Sequence, residues 1–152
     1  MIDIDKIDRA ILTHLQEDGK LSNVELAALV GLSESACLRR VRRLEESDVI
    51  SKYTAIVSAK TIGLTSSVFV RVSLQRQREE QLRNFEEAVQ HVPEVMECYL
   101  MSGDVDYILR VIVKDGRDYE RVHNILTALP EVDRVHSSFA LRNVVRRTHL
   151  PM

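Results

Sequence analysis

Four arginines crowd into five residues of this chain, and they form its most conspicuous chemical group. They are Arg39, Arg40, Arg42 and Arg43. A guanidinium group presents several N–H donors in a fixed fork that matches phosphate oxygens or the edge of a guanine. The whole chain has a net charge of -2, but a local basic patch can bind nucleic acid in a protein that is acidic overall. Two interpretations follow, a DNA contact or a solvated helix face balanced by Glu45 and Glu46.

The residues before and around the arginines predict three short helices. Apolar residues recur at helical spacing from Ile4 to Leu15, with acidic residues in the first turn. Ser22 and a glutamate three residues on have the form of a capping box, which starts a second helix that Gly31 ends. Ser33 is the next candidate N-cap, and its helix runs to about Ser47. Two short helices joined by a glycine-containing turn indicate a helix-turn-helix, which favours the DNA interpretation.

The third predicted helix has an apolar face and an opposite face free for DNA. Cys37, Val41 and Leu44 share the apolar face. We expect the N-terminal part of this helix to contact base edges and the later arginines to contact phosphates, whereas Arg40 lies closer to the apolar stripe, which favours a structural role. The predicted DNA contacts on this helix and its cap are Ser33, Glu34, Ser35, Arg39, Arg42 and Arg43.

A two-stranded wing is predicted after the third helix. The β-prone segments 49–50 and 53–57 bracket Lys52, which lies at the predicted wing tip and is a further candidate contact to the DNA backbone. Residues 58–66 contain a glycine and several small side chains, as a connector does. The sequence thus predicts a winged helix-turn-helix DNA-binding domain over residues 1–57, followed by the connector.

The second half of the chain repeats a strand-helix-strand unit. Pro93-Glu94-Val95 recurs 37 residues later as Pro130-Glu131-Val132. Alternating apolar residues over 68–74 recur over 105–111, and apolar residues at helical spacing agree between the two copies. The order is β-α-β-β-α-β, which predicts a ferredoxin-like domain over residues 67–152 and an α+β fold class.

One face of this predicted sheet is apolar where contact with water would favour polar residues. In the ferredoxin-like order both helices cover the same face, so the other face has no cover within the domain. An exposed apolar sheet face favours burial against a second copy, which predicts a homodimer; the alternative is cover by the N-terminal domain of the same chain. The apolar residues expected on this face are Phe69, Met96, Cys98, Ile108 and Ile112.

Other function classes lack the residues that they need. Cys37 and Cys98 are far apart and lack CxxC spacing, so no zinc or redox site is predicted. The five histidines are scattered, and neither a glycine-rich phosphate loop nor a nucleophile constellation occurs, which argues against an acylphosphatase-type or other enzyme and against a cofactor.

No apolar run approaches the roughly 20 residues of a membrane span, and residues 1–5 lack the features of a signal peptide. We expect a cytoplasmic protein with no membrane partner.

Six stretches of sequence carry a family resemblance. They are Ile7-Asp8-Arg9-Ala10-Ile11-Leu12, Ser22-Asn23-Val24-Glu25-Leu26, Val30-Gly31-Leu32-Ser33, Cys37-Leu38-Arg39-Arg40-Val41-Arg42-Arg43-Leu44-Glu45, Tyr53-Thr54-Ala55 and Ser102-Gly103-Asp104-Val105-Asp106-Tyr107. In these stretches the chain resembles the Lrp/AsnC, or feast/famine, transcriptional regulators, and within them the leucine-responsive branch. The resemblance implies a sequence-specific DNA-binding regulator whose DNA binding or assembly responds to a small effector, usually an amino acid.

The resemblance also implies partners and an effector site. Dimers of this family assemble into octamers or related rings, associate with the nucleoid, and, being two-fold symmetric, are expected to bind imperfect palindromes in double-stranded DNA. The family's effector site lies at the turn between the second and third strands of the sensing domain, where backbone amides and an aspartate suit a zwitterion. It maps to Met101, Ser102, Gly103, Asp104 and Asp106.

Two alternatives stay open beside these implications. By its residues alone, the segment 102–104 is also compatible with an ordinary hairpin turn. The chain could also be an amino-acid-binding module without specific DNA recognition, although the arginine-rich helix argues against it.

Overall fold

The computed structural model describes residues 3–152 and divides them into two compact units. The helical unit comprises the chain up to Ile56 together with Val144–Met152, and the sheet unit comprises Val57–Asn143. The sequence-based boundary assigns Val144–Met152 to the C-terminal domain instead. Met1 and Ile2, with which the predicted N-terminal domain begins, lie outside the described residues.

The C-terminal segment is held to the helical unit by an amide that makes two hydrogen bonds. The backbone N–H of Leu150 donates to Gln16 Oε1 at 2.7 Å, and Gln16 Nε2 donates to the carbonyl of Leu150 at 3.5 Å. The most C-terminal residues therefore return to the helix with which the described chain begins.

Three helices form the helical unit, as predicted. Each begins at a polar N-cap: Asp5 and Ser22 form capping boxes, and the Ser33 hydroxyl accepts from the N–H of Ala36. Gly31 ends the second helix in the left-handed conformation, with φ of 68°, that glycine adopts without strain. The helices are α1 (Lys6–Glu17), α2 (Asn23–Val30) and α3 (Glu34–Glu46).

The apolar faces of these helices meet in one small core. Ile11 of α1, Leu26 of α2, and Cys37 and Leu44 of α3 are all buried there. The core fixes which side of α3 remains outside, because Cys37 and Leu44 lie two turns apart on its inner face.

The predicted two-stranded wing is absent from the described residues. Residues 51–58 are irregular and make no strand pairing. Asp48, with φ of 56°, turns the chain directly after α3, whereas Ser51 and Lys52 are not the Asn-Gly or Gly-containing pair that a two-residue hairpin favours. Tyr53 instead lies back on α3, where its hydroxyl donates to Glu45 at 2.9 Å. The wing prediction was wrong because no residue at its tip supplies the turn.

The sheet unit has the predicted β-α-β-β-α-β order. Its elements are β1 (Ser66–Leu74), α4 (Glu79–Val89), β2 (Val95–Leu100), β3 (Tyr107–Val113), α5 (Gly116–Thr127) and β4 (Val132–Phe139). The strands lie in the order β2-β3-β1-β4, and all neighbours are antiparallel. This is the ferredoxin-like arrangement, and the α+β prediction is confirmed.

Both helices pack on one face of this sheet. The inward positions of β1 and β3 alternate with outward ones, and Val70 and Leu109 are completely buried against Phe85 of α4 and Val122 of α5. The strict alternation explains why the sequence repeat identified both strands.

The opposite, outer face of the sheet is more polar than predicted. Phe69, Ile108 and Ile112 lie on it, but β2 carries an irregularity between Val95 and Glu97. The alternation shifts there, so that Cys98 opposes Leu109 and packs against the core. The prediction that Cys98 lies on the outer face was therefore wrong, and Met96, at the irregularity, is half exposed.

The outer positions of β2 are instead taken by Glu97 and Tyr99, which oppose Arg110 and Ile108 of β3. Glu97 accepts from Arg110 Nε at 2.7 Å. An ion pair thus lies among the apolar residues of the outer face.

Candidate functional site

Helix α3 divides its arginines into two groups. Arg40 donates to Asp5 Oδ2 at 2.7 Å and to Asp8 Oδ1 at 2.9 Å, and Arg43 donates to Asp8 Oδ2. Within residues 3–152, by contrast, neither Arg39 nor Arg42 has a carboxylate at ion-pair distance, and both are exposed. The positive charges of Arg39 and Arg42 are therefore available to a ligand.

The acidic partner of both paired arginines is fully buried. Asp8 lies four residues after Ile4 and three before Ile11, which places it on the apolar stripe of α1, and its side chain has 0% exposure. A buried carboxylate is tolerated when it is paired and hydrogen-bonded. Besides the two guanidinium groups, Asp8 Oδ2 accepts from the backbone N–H of Asp5 at 3.2 Å.

Asp5 completes the cluster at the N-terminus of α1. Its carboxylate accepts from the N–H of Asp8 at 2.8 Å and from the N–H of Ile7 at 2.9 Å. The hydrogen bond from Asp8, followed by that from Arg40, lowers the pKa of Asp5 from 3.8 to about 2. Asp5 therefore stays charged under all ordinary conditions.

The other predicted DNA contacts lie in the same helical unit. Ser33, Glu34 and Ser35 are exposed at the start of α3, one turn before Arg39 and two before Arg42. Lys52 is exposed in the irregular segment that follows the helix. The structure thus places six of the seven predicted residues on α3 and its cap, and the seventh after α3.

Two side chains that position α3 are not predicted from the sequence, Asn23 and Asp8. Asn23 Nδ2 donates to the carbonyl of Glu34 at 2.8 Å and so ties the start of α2 to the start of α3. From the sequence, Asp8 is expected only to suit the positive N-terminal turn of α1. The available signal was that Asp8 interrupts an apolar stripe, which is unusual unless a basic partner lies opposite.

The predicted effector residues lie in the turn between β2 and β3. Met101, Ser102, Gly103 and Asp104 are exposed, and the turn is closed by a hydrogen bond from the N–H of Met101 to the carbonyl of Asp106 at 2.8 Å. The turn therefore has an exposed hydroxyl residue, Ser102, and an exposed carboxylate residue, Asp104.

Asp106 faces inward and has partners of its own. It is 7% exposed, and its carboxylate accepts from the N–H of Leu74 and from Gln77 Nε2, each at 2.7 Å. Asp106 therefore holds the turn to the end of β1, and its predicted contact with an effector stays a prediction. Asp104 is the exposed carboxylate of the turn.

The described residues contain neither a metal-ligand cluster nor a membrane-spanning helix. No group of three or more histidine, cysteine, aspartate or glutamate side chains arranged to hold a metal occurs in residues 3–152. Over the same range, no helix is both long and apolar enough to cross a membrane.

Comparison with known proteins matches both units. Residues 4–45 match the model of the AsnC-type helix-turn-helix domain, and residues 67–150 match that of the Lrp/AsnC ligand binding domain. The chain is 45% identical to the Bkd operon transcriptional regulator of Pseudomonas aeruginosa over 100% of both chains. It is 40% identical to the leucine-responsive regulatory protein of Escherichia coli, covering 97% of this chain and 91% of that protein.

A solved structure agrees with these sequence matches. The crystal structure of a Neisseria meningitidis transcriptional regulator in complex with L-Met superposes with a TM-score of 0.93 at 36% identity, covering 98% of this chain and 97% of that one. The helix-turn-helix, the ferredoxin-like sheet and these matches lead to one conclusion. The chain belongs to the Lrp/AsnC family of transcriptional regulators.

Proposed function

We propose that this regulator binds an imperfect palindrome in double-stranded DNA through α3, as a dimer, and that an amino acid at the turn between β2 and β3 modulates its DNA binding or assembly. The observation that carries the proposal is the pair of exposed arginines, Arg39 and Arg42, on a helix whose opposite face is buried. The protein acts in this proposal by binding, with no catalytic step.

The order of residues along α3 supports a division of labour on DNA. A recognition helix places its N-terminal part in the major groove, where Ser33, Glu34 and Ser35 are positioned to meet base edges. Arg39, one turn further, matches the two acceptors of guanine. The remaining contacts, from Arg42 and Lys52 and more weakly from Arg43, which is paired with Asp8, suit phosphates, which fix the protein on the duplex without reading sequence.

The outer face of the sheet supports dimerisation. Phe69 is 44% exposed on this face, beside Ile108 and Ile112. A second copy that covers these residues would remove apolar surface from water, and a two-fold pair presents two α3 helices to DNA. We propose that such dimers assemble into an octamer or related ring in the cytoplasm, in association with the nucleoid.

The turn between β2 and β3 supports an amino-acid effector. The backbone amides of the exposed residues 102–104 can receive a carboxylate, and the exposed Asp104 can pair with an ammonium group. The Neisseria relative is a complex with L-Met, which is a ligand of this chemical class.

One combined experiment tests the proposed function. Binding sites are selected from random duplexes, and fluorescence anisotropy then compares the selected and a scrambled duplex, with and without each amino acid that raises the melting temperature. We expect a palindromic preference and an effector-dependent change in Kd or in assembly size. Amino-acid binding without any sequence preference would instead support the ligand-binding module considered from the sequence.

A further inference from the structure

Asp8 is a fully buried carboxylate on the apolar stripe of α1. Its side chain also closes the capping box of that helix, where Oδ2 accepts from the N–H of Asp5. Replacing a buried ion pair by well-packed apolar residues is often neutral or stabilising, so such a pair is weak evidence of a role in stability. The contacts of Asp8 point to α3, because both of its oxygens accept from arginines of that helix.

These contacts change how α3 presents its charge. Arg40 and Arg43 lie one turn apart on the same side of α3, and both bind one carboxylate. Two attachments on one side resist rotation of the helix about its axis, so the direction of Arg39 is fixed relative to α1. The charge of Arg43 is compensated as well, although its side chain is 46% exposed.

Compensated arginines matter for a protein that searches DNA. Sequence-independent affinity grows with the number of phosphates that a protein neutralises, and the logarithm of the binding constant falls with the logarithm of the salt concentration by about 0.9 for each phosphate contact. An arginine held by a buried carboxylate adds less to this term than an unpaired one.

We propose that Asp8 is a positioning residue that limits non-specific DNA binding: it holds Arg40 and Arg43 against α1, so that Arg39 and Arg42 carry the contact with DNA. This inference rests on the proposed function, since it requires α3 to contact DNA. In this proposal, the carboxylate of Asp8 raises the ratio of specific to non-specific affinity for DNA.

The test measures the salt dependence of binding by Asp8→Asn. Asparagine has nearly the same shape and keeps an oxygen for one guanidinium, but it removes the charge that compensates Arg43. On a scrambled duplex we expect the salt slope to steepen by about one for each helical unit engaged. Each such unit makes the loss of affinity over a fourfold rise in salt about fourfold larger. The ratio of affinities for the selected and scrambled duplexes falls. Unchanged slope and ratio in a folded variant overturn the inference.

A matched control distinguishes an effect of the position of Asp8 from an effect of losing one negative charge anywhere on α1. Glu17→Gln removes one negative charge from the last turn of the same helix, and we expect it to keep the slope of the wild-type protein. Equal steepening in Glu17→Gln and Asp8→Asn would mean that net charge alone is responsible, and would overturn the inference.

The double variant Asp8→Asn/Arg43→Gln identifies the arginine that is released. We expect its salt slope to return towards the wild-type value, because the uncompensated guanidinium is gone. A slope that stays as steep as in Asp8→Asn shows that Arg43 is not the released group, and overturns the inference.

A second comparison applies if Asp8→Asn does not fold. With Asp8 intact, Arg42→Gln should flatten the slope by about one per helical unit engaged, and Arg43→Gln by clearly less. Equal flattening overturns the inference. A wild-type protein that prefers no sequence contradicts the proposed function itself, whereas a specific wild-type protein with an unaltered Asp8→Asn variant contradicts only the role of Asp8.

Discussion

The carboxylate of Asp106 accepts a hydrogen bond from the backbone N–H of Leu74 at 2.7 Å, which ties the turn after β2 to the last residue of β1. Leu74 is also the point at which the register between β1 and β4 shifts. At this interruption of the strand pairing, the Asp106 carboxylate therefore supplies the acceptor for a backbone N–H that a regular strand ladder does not satisfy there.

Asp106→Ala should destabilise the protein. The buried N–H of Leu74 and the side chain of Gln77 would lose their acceptor, at a cost of about 1–3 kcal/mol. Urea unfolding followed by circular dichroism measures the loss. Asp104→Ala, in the same turn, is the control and should unfold at nearly the wild-type midpoint. Equal stability of the two variants would contradict the structural role of Asp106.

Asp104→Ala should remove the response to the effector while basal DNA binding is kept. The exposed carboxylate is the proposed partner of the ammonium group, and α3 belongs to the other unit. Allosteric couplings are about 1–3 kcal/mol, so saturating effector should change the affinity of the wild-type protein for DNA by roughly 5- to 150-fold and that of the variant by little. Anisotropy titrations with and without effector measure both. A full response in Asp104→Ala would locate the effector elsewhere.

Ile108→Lys should dissociate the dimer or cause aggregation. An unpaired ammonium group would be buried in the proposed contact between two sheets, which costs several kcal/mol. Analytical ultracentrifugation reports the oligomeric state. Ile125→Lys, on the exposed side of α5, introduces the same group away from the sheet face and should leave the sedimentation unchanged. An intact, folded Ile108→Lys dimer would rule out this face as the interface.

Arg39→Ala should weaken binding to the selected duplex more than binding to a scrambled one. A guanidinium that reads a guanine contributes about 1–3 kcal/mol of discrimination, whereas loss of a phosphate contact weakens all sequences alike. Competition titrations with point-substituted duplexes measure the difference. Arg83→Ala, on α4, is the control. A uniform loss across sequences would reassign Arg39 to the backbone of the DNA.

Acid unfolding should reveal the contribution of Asp5. Because the pKa of Asp5 is about 2 in the folded protein and 3.8 ordinarily, the stability that it adds is present above about pH 3.8 and is lost as the pH falls through about 2. Melting temperatures across this window, compared between the wild-type protein and Asp5→Asn, should converge at the acid end. A constant difference at every pH would contradict this account.

The spacing of the apolar residues and the helix-capping residues made most of the fold predictable from the sequence. Ser22, Gly31 and Ser33 give short-range signals for helix ends, and strict alternation gives the strands of the repeat. The interruption in β2 left no such signal, because Met96 and Cys98 are both apolar and suit either face. Cys98 was consequently assigned to the wrong side of the sheet.

The candidate site was less predictable than the elements that carry it. The arginines of α3 were evident from composition and spacing. Their division into a paired and an unpaired group depends on Asp5 and Asp8, which are more than thirty residues away in sequence. Pairing over that separation is set by the packing of α1 on α3, and a single sequence does not encode it as a local pattern.

The return of Val144–Met152 to the helical unit has a consequence for fragment design. The sheet unit is, in topological terms, an insertion within the helical unit, because both of its chain ends lead back to the same body. A fragment that stops at Ile56 omits the C-terminal segment, in which Gln16 binds the backbone of Leu150. A DNA-binding fragment that keeps this contact contains both pieces, and a graft of this sensing domain onto another regulator has two junctions to preserve.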